Sequence, residues 1–339
     1  MARRARLLAV VLFLAAGCAG GDEDKRAAAP LGGWERVRAG GETACARGGE
    51  YAYWLRRGDP KKLVVFFQGG GGCFDEITCA EGSPWFDDRV DAEDDPAHSG
   101  GMLDLGDPSN AFRDWSFVYI PSCTGDVHTG DARVEYGSIV VEQRGWQNAR
   151  AALEHGFREF TDPSLVLVAG CSAGSVGSAW HVEEVIRRYP DADVTQVGDS
   201  LAYLFHRPIR LAAWGTNKHF PSFFRVGGRA WTMEDFVTRL ARAYPDVTLA
   251  RFNHVNDGVQ RQFYEAVGGD PQQFASRLRG VERRLKELPN YRSFLACGSE
   301  HCSFQTPEFA SLTVDGVRLA DWVLDLAEGR DVKCPECGG

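Results

Sequence analysis

Leu165-Val166-Leu167-Val168-Ala169-Gly170-Cys171-Ser172-Ala173-Gly174 is the stretch on which the fold of this chain turns. An unbroken aliphatic run of this length, closed by glycine, reads as a strand buried on both faces. The pattern after Ser172 then reads as a helix to Arg188. Strand, G-x-S-x-G and helix in that order describe a sharp turn whose glycines lift a serine hydroxyl above a sheet. The helix start behind the serine favours negative charge developing there. Ser172 is the candidate nucleophile.

Outward from that turn the same rhythm recurs. Leu63 to Phe67 is an apolar run that ends in Gly69-Gly70-Gly71-Gly72, Phe117 to Ile120 is stopped by Pro121, and Val194 to Val197 stops at Gly198. Each reads as a buried strand. Ser138 to Phe157 carries a helical pattern, strands resume at Val247 to Phe252 and Phe294 to Ala296, and Leu319, Trp322, Val323 and Leu326 stand at helical spacing in a last helix. Strands alternating with helices predict an α/β fold of the α/β-hydrolase type: a mainly parallel sheet, helices on both faces, and a site beyond the carboxyl ends of the strands. Leu201 to Tyr244 breaks the rhythm with Tyr203, Phe205, Trp214, Phe220, Phe223, Phe224, Trp231, Phe236 and Tyr244. That segment reads as a cap-like insertion at about 201–244, or as rings that fill core. No linker or internal repeat interrupts residues 31–339, which are expected to form one domain.

Before that domain, Arg3, Arg4 and Arg6 precede the apolar run Leu7 to Ala16, too short to span a bilayer but suited to a signal peptide over 1–17. Ala15-Ala16-Gly17-Cys18 resembles a lipobox, so Cys18 is the candidate lipidation site. The expected product is an exported lipoprotein anchored in a membrane, with 18–30 as a flexible tether; cleavage near Ala16, giving a secreted protein, is the alternative. Composition fits a folded domain, with 44% hydrophobic and 25% charged residues in 339. A net charge of -9 argues against binding nucleic acid through its phosphates. The acidic run Asp87 to Asp95 lacks the glycine and spacing of a calcium loop and reads as solvated.

Ten cysteines fit an oxidising compartment and a set of disulfides. Setting aside Cys18 for lipid and Cys171 because it adjoins Ser172 leaves Cys45, Cys73, Cys79, Cys123, Cys297, Cys302, Cys334 and Cys337. One C-x-x-C, Cys334 to Cys337, is a weak zinc signal without a second pair, and no metal is expected. Its place at the chain's end also suits a thiol oxidoreductase poorly, since activated thiolates sit at helix starts.

A serine hydroxyl attacks only when a base takes its proton and an acid orients that base, and after a nucleophile of this kind the chain order is acid, then histidine. His181 lies inside the following helix, while His206 and His219 come before any later strand. His301 follows the strand ending at Cys297 and is the candidate base, with His254 as the alternative. Asp257 directly follows the strand Val247 to Phe252 and is the candidate acid. Cys297 and Cys302 bracket His301, and a bridge between them would fix its loop. Oxyanion donors are expected from Ala173 and from the loop Gly69 to Gly72.

Gln68-Gly69-Gly70-Gly71-Gly72-Cys73-Phe74, Ile120-Pro121-Ser122-Cys123-Thr124-Gly125-Asp126, Gly170-Cys171-Ser172-Ala173-Gly174-Ser175 and Glu300-His301-Cys302 together resemble the pectin acetylesterase family. The resemblance runs from about Cys45 to about Cys302. It implies ester hydrolysis without metal or organic cofactor by a triad of Ser172, Asp257 and His301, with oxyanion donors at Gly70, Gly71 and Ala173. It also implies bridges Cys45–Cys123 and Cys73–Cys79, which Cys297–Cys302 and Cys334–Cys337 would complete. Gln68 and the fourth glycine depart from the acidic residue and tryptophan common in plant members. Asp199-Ser200-Leu201 resembles the family's Asp-Ser/Ala-Gly element, with Leu201 in place of glycine; Asp199 reads as structural and is the second choice of acid. The expected substrate is an O-acyl ester with a short acyl group, with an acetylated polysaccharide as the candidate carrier. A longer-chain lipid deacylase and a catalytically silent binding protein on the same fold are the alternatives.

Overall fold

Continuous apolar runs in this chain become strands whose alternate side chains enter two different cores. Val64, Phe66, Leu167 and Ala169 face one, and Leu63, Val65, Val166 and Val168 the other. The computed structural model describes residues 32–201, 212–224 and 231–338. The signal and tether segments, with Cys18, and parts of the 201–244 insertion lie outside the described residues.

In chain order the elements are β1 (Glu35–Arg38), β2 (Ala52–Arg56), β3 (Asp59–Phe67), β4 (Trp115–Ile120), β5 (Ala132–Tyr136), β6 (Ile139–Gln143), α1 (Gly145–Glu159), β7 (Leu165–Cys171) and α2 (Ala173–Arg188). There follow β8 (Asp193–Asp199), α3 (Met233–Ala243), β9 (Thr248–His254), α4 (Gly258–Ala266), α5 (Phe274–Leu285), β10 (Tyr291–Ala296), α6 (Glu308–Ser311) and α7 (Leu319–Ala327). The main sheet has the order β1-β2-β4-β3-β7-β8-β9-β10. Every pair from β4 to β10 is parallel, whereas β2 runs antiparallel to β4 and β1 to β2. α1, α2, α3 and α5 pack on one face and α7 on the other.

One reading changes. Ile139 to Gln143 form β6, hairpinned with β5, so the helix begins only at Gly145. Ile139-Val140-Val141 is β-branched, and such residues favour an extended chain over a helix. The described aromatics of the insertion fill core: Phe220, Phe223, Phe224, Trp231 and Phe236 pack together, and Phe236 stacks on Trp180 of α2 at 5.2 Å.

Candidate active site

The strand order sets the site. β7 lies between β3 and β8, with β9 and β10 beyond β8, so the loops leaving their carboxyl ends share one edge. Ser172 occupies the turn between β7 and α2 at φ 52° and ψ -119°, a conformation rare for a side-chain-bearing residue. Glycine on either side makes the turn fit. A Cβ on Gly170 would lie 2.2 Å from the Gly174 oxygen, and one on Gly174 would lie 2.0 Å from the Phe67 oxygen. The Ser172 N–H donates to the Asp199 carbonyl at 2.9 Å, and the half-buried side chain faces a cleft.

Asp257 is wholly buried and caps α4, its Oδ1 accepting the Gln260 N–H at 2.9 Å. Its Oδ2 accepts from Gln260 Nε2 at 2.9 Å and lies 2.7 Å from His301 Nδ1. With Nδ1 donating to the carboxylate, His301 presents Nε2 as an acceptor, the tautomer a general base requires. His301 lines the same cleft as Ser172.

Gly70 and Gly71 line it too. A Cβ on Gly70 would lie 2.7 Å from Ser122 Cβ, and one on Gly71 2.0 Å from the Trp85 oxygen, at φ +66°. The chain there pairs with Trp85 to Asp87 through the Gly70 carbonyl and the Gly72 N–H. That ladder does not use the N–H groups of Gly70 and Gly71, which suits them to an oxyanion. Ala173 opens α2 beside Ser172, where the helix dipole favours negative charge.

His254 and Asp199, the alternatives for base and acid, sit in hydrogen-bond networks of their own. His254 is buried at the end of β9, bonded to the Cys297 carbonyl at 2.9 Å and to Ser303 and Glu308 at 3.2 Å. Asp199 accepts from the Ser200 hydroxyl at 2.6 Å and from the Phe304 N–H at 2.7 Å, holding the loop just past His301. Burial pushes its carboxyl up to about 6.

Cys45–Cys123 and Cys73–Cys79 are bridged. The other pairings differ from expectation: Cys297 joins Cys337, Cys171 joins Cys302, and Cys334 is free. The C-terminal tail runs beside β10, with the Leu295 N–H donating to the Pro335 carbonyl and the Cys337 N–H to the Leu295 carbonyl, so Cys337 arrives at Cys297. Cys334 and Cys337 sit on this extended tail, where three residues span roughly 10 Å, beyond disulfide reach. Cys302 is drawn instead to β7, because its N–H donates to Ser200 Oγ at the end of neighbouring β8.

Several lining residues carry no motif. Pro84, Trp85, Phe86, Val259 and Phe263 form the apolar wall, with Trp85 and Phe263 edge to face at 5.0 Å, and Gln68, Asp87 and Gln305 add polar groups. The cleft measures about 380 Å³. The acidic run is not simply solvated. Asp94 is buried and accepts from Gln68 Nε2 at 2.8 Å, while burial and the nearby Asp94 push Asp87 up to about 6.

A nucleophile raised on a strand-to-helix turn over such a sheet is how α/β hydrolases present a reactive serine, and this chain has that fold. It belongs to the pectinacetylesterase family, whose model matches residues 37–240. The chain is accordingly a carboxylic ester hydrolase. Two crystal structures of the Wnt deacylase Notum from Drosophila are similar in fold. One has a TM-score of 0.61 and 18% identity, covering 90% of this chain and 95% of that one. The other has 0.59 and 15%, covering 89% and 96%. No curated protein sequence matches the chain.

Proposed function

We propose that the protein hydrolyses O-acyl esters with short acyl groups through an acyl-enzyme on Ser172. His301 takes the serine proton as Ser172 attacks the ester carbonyl and returns it to the departing alcohol; water then enters by the same route and frees the acid. Asp257 orients His301 and stabilises its cationic form. The N–H groups of Gly70, Gly71 and Ala173 receive the oxyanion. Ester and water balance this chemistry with no cofactor. The observation that carries the reading is the 2.7 Å contact from Asp257 to His301 Nδ1, with His301 and Ser172 on one cleft.

Gln68, Asp87 and Gln305 line the same cleft as the apolar wall, which favours an acetyl to roughly butyryl group on a hydroxylated carrier such as an acetylated polysaccharide over a long lipid chain. The rings of Trp85 and Phe263 favour the second reading, a longer-chain deacylase in the manner of Notum. Purified Ser172→Ala should lose nearly all hydrolysis of an aryl acetate while keeping its fold, and retention of a tenth of wild-type turnover defeats the assignment.

The four disulfides among the described residues fit an oxidising compartment, and we place the enzyme outside the cytosol, held to a membrane by lipid on Cys18 after removal of residues 1–17. Cys18→Ser should release active, soluble enzyme. A wild-type protein without lipid mass on its N-terminus refutes the anchor.

A further inference from the structure

Cys171 immediately precedes Ser172 and Cys302 immediately follows His301, and a disulfide joins them across 131 residues of chain. The backbone bonds that hold the His301 loop divide into two groups. Upstream of the histidine, the Asn256 N–H donates to the Gly298 carbonyl at 3.1 Å and the Gly258 N–H to the Ser299 carbonyl at 2.9 Å. Those bonds, like the contact of His301 with Asp257, tie the loop to the end of β9. They set the imidazole relative to Asp257 and leave its reach toward Ser172 open.

Downstream, the loop is tied toward the nucleophile. Cys302 N–H donates to Ser200 Oγ at 2.9 Å, Phe304 N–H to Asp199 Oδ2 at 2.7 Å, and the Asp199 carbonyl accepts from Ser172 N–H at 2.9 Å. These links all pass through the end of β8. The disulfide alone, among the described residues, connects the two loops directly.

We propose that the Cys171–Cys302 disulfide is a positioning device that holds His301 within proton-transfer reach of Ser172, and that opening it lowers turnover without unfolding the enzyme. The proposal rests on Ser172 and His301 as nucleophile and base. Proton transfer needs the two atoms within about 3 Å, and a displacement of about 1 Å costs on the order of 100-fold in rate. Cys302 lines the cleft and is partly exposed, whereas Cys171 is buried, so an entering thiolate meets Cys302 Sγ. With dithiothreitol the thiolate bonds to Cys302 and the S–S bond breaks. Cys171 leaves as a thiolate and takes a proton from water. The reagent's second thiol then displaces Cys302 as a thiol, and two electrons pass from the reagent, which ends as a cyclic disulfide.

The test compares Cys171→Ala/Cys302→Ala with Cys297→Ala/Cys337→Ala and Ser172→Ala, on an aryl acetate and well below each melting temperature. In the first variant kcat should fall about 10- to 100-fold, with KM within about twofold. Labelling of Ser172 by a fluorophosphonate should slow by the same factor. The control lacking Cys297 and Cys337 loses only a tie to the tail and should keep its kcat. A first variant with wild-type kcat, or with losses that track its unfolded fraction, overturns the positioning role, while an inactive Ser172→Ala leaves the esterase reading standing. A fully active Ser172→Ala removes both. Should the double variant not fold, wild-type enzyme is titrated with dithiothreitol while mass spectrometry follows each bridge. Activity must fall with opening of Cys171–Cys302 and return with oxidised glutathione; activity that survives the opening, or that follows Cys297–Cys337 instead, overturns the proposal.

Discussion

Asp257 Oδ2 stands 2.7 Å from His301 Nδ1, and the two residues follow β9 and β10, neighbouring parallel strands paired from Tyr291–Leu249 to Ala296–His254. Two carboxyl ends in register bring a carboxylate and an imidazole together although 44 residues separate them. Asn in place of Asp257 keeps a helix cap but offers an amide where the ring needs an acceptor, so it favours the wrong tautomer. Asp257→Asn should lower kcat on the order of 10⁴-fold in enzyme that is still folded at the assay temperature. His254→Ala should do the reverse, melting earlier because it leaves the Cys297 carbonyl without its donor and Glu308 with Ser303 alone, yet keeping kcat within about tenfold. Measured kcat and melting temperatures for both variants check this; a dead His254→Ala beside an active His301→Ala means that the base is His254.

Gly71 has both of the features that forbid a side chain, a φ of +66° and the Trp85 oxygen 2.0 Å from any Cβ. Gly71→Ala must therefore move the loop, taking the N–H groups of Gly70 and Gly71 away from the oxyanion. Loss of one such donor costs about 10²–10³ in kcat. The variant should show that loss in kcat more than in KM. Gly49→Ala, which meets nothing within 4 Å, should leave both unchanged.

Asp199 links pH to the loop that carries His301. Burial raises its carboxyl to about 6 from an ordinary 3.8, so between about pH 4 and 6 the folded chain holds a proton that the unfolded chain has released. Stability from this group therefore falls as pH rises through that window, by roughly 3 kcal/mol in all. His128, lowered to about 4 by burial, acts oppositely over much of the same range. The measurable quantity is thus the difference between proteins: Asp199→Asn should lose the falling component, so that its urea midpoint rises more from pH 4 to 7 than that of the wild type. Parallel curves for the two proteins refute the linkage.

The parallel strands were legible because a strand buried on both faces is written as an unbroken apolar run, as in Leu63 to Phe67 and Leu165 to Val168. Ser172 was legible because its turn needs Gly170 and Gly174 for reasons of space. β1 was not, since Glu35 to Arg38 is a short, largely exposed edge strand without such a run. Nor were the partners of Cys297 and Cys302, which depend on the tail returning beside β10 and on Ser200 receiving the Cys302 N–H. Trp85 and Phe263 lie 178 residues apart in sequence and face each other only because a loop after β3 and the helix after β9 meet at one sheet edge.

That pair of rings frames the last prediction, the choice of acyl group. Each methylene buried from water contributes about 0.8 kcal/mol, or roughly fourfold in affinity, so an enzyme with a deep apolar pocket should rise steeply in kcat/KM along an acyl series. Here Trp85, Phe263 and Val259 offer one wall, while Gln68, Asp87 and Gln305 stand among the other lining groups of the same cleft. An acetyl or butyryl group can lie on the wall, whereas a longer chain filling the same cleft takes water from polar groups that it cannot hydrogen-bond. On aryl esters kcat/KM should therefore peak at or below butyryl and fall by octanoyl and palmitoyl. Phe263→Ala, which removes one ring of the wall without touching Ser172, should lower the butyryl value by about tenfold and the acetyl value by less. A wild-type profile that climbs to octanoyl or beyond rejects the short-acyl assignment in favour of a lipid deacylase, whatever the variant does.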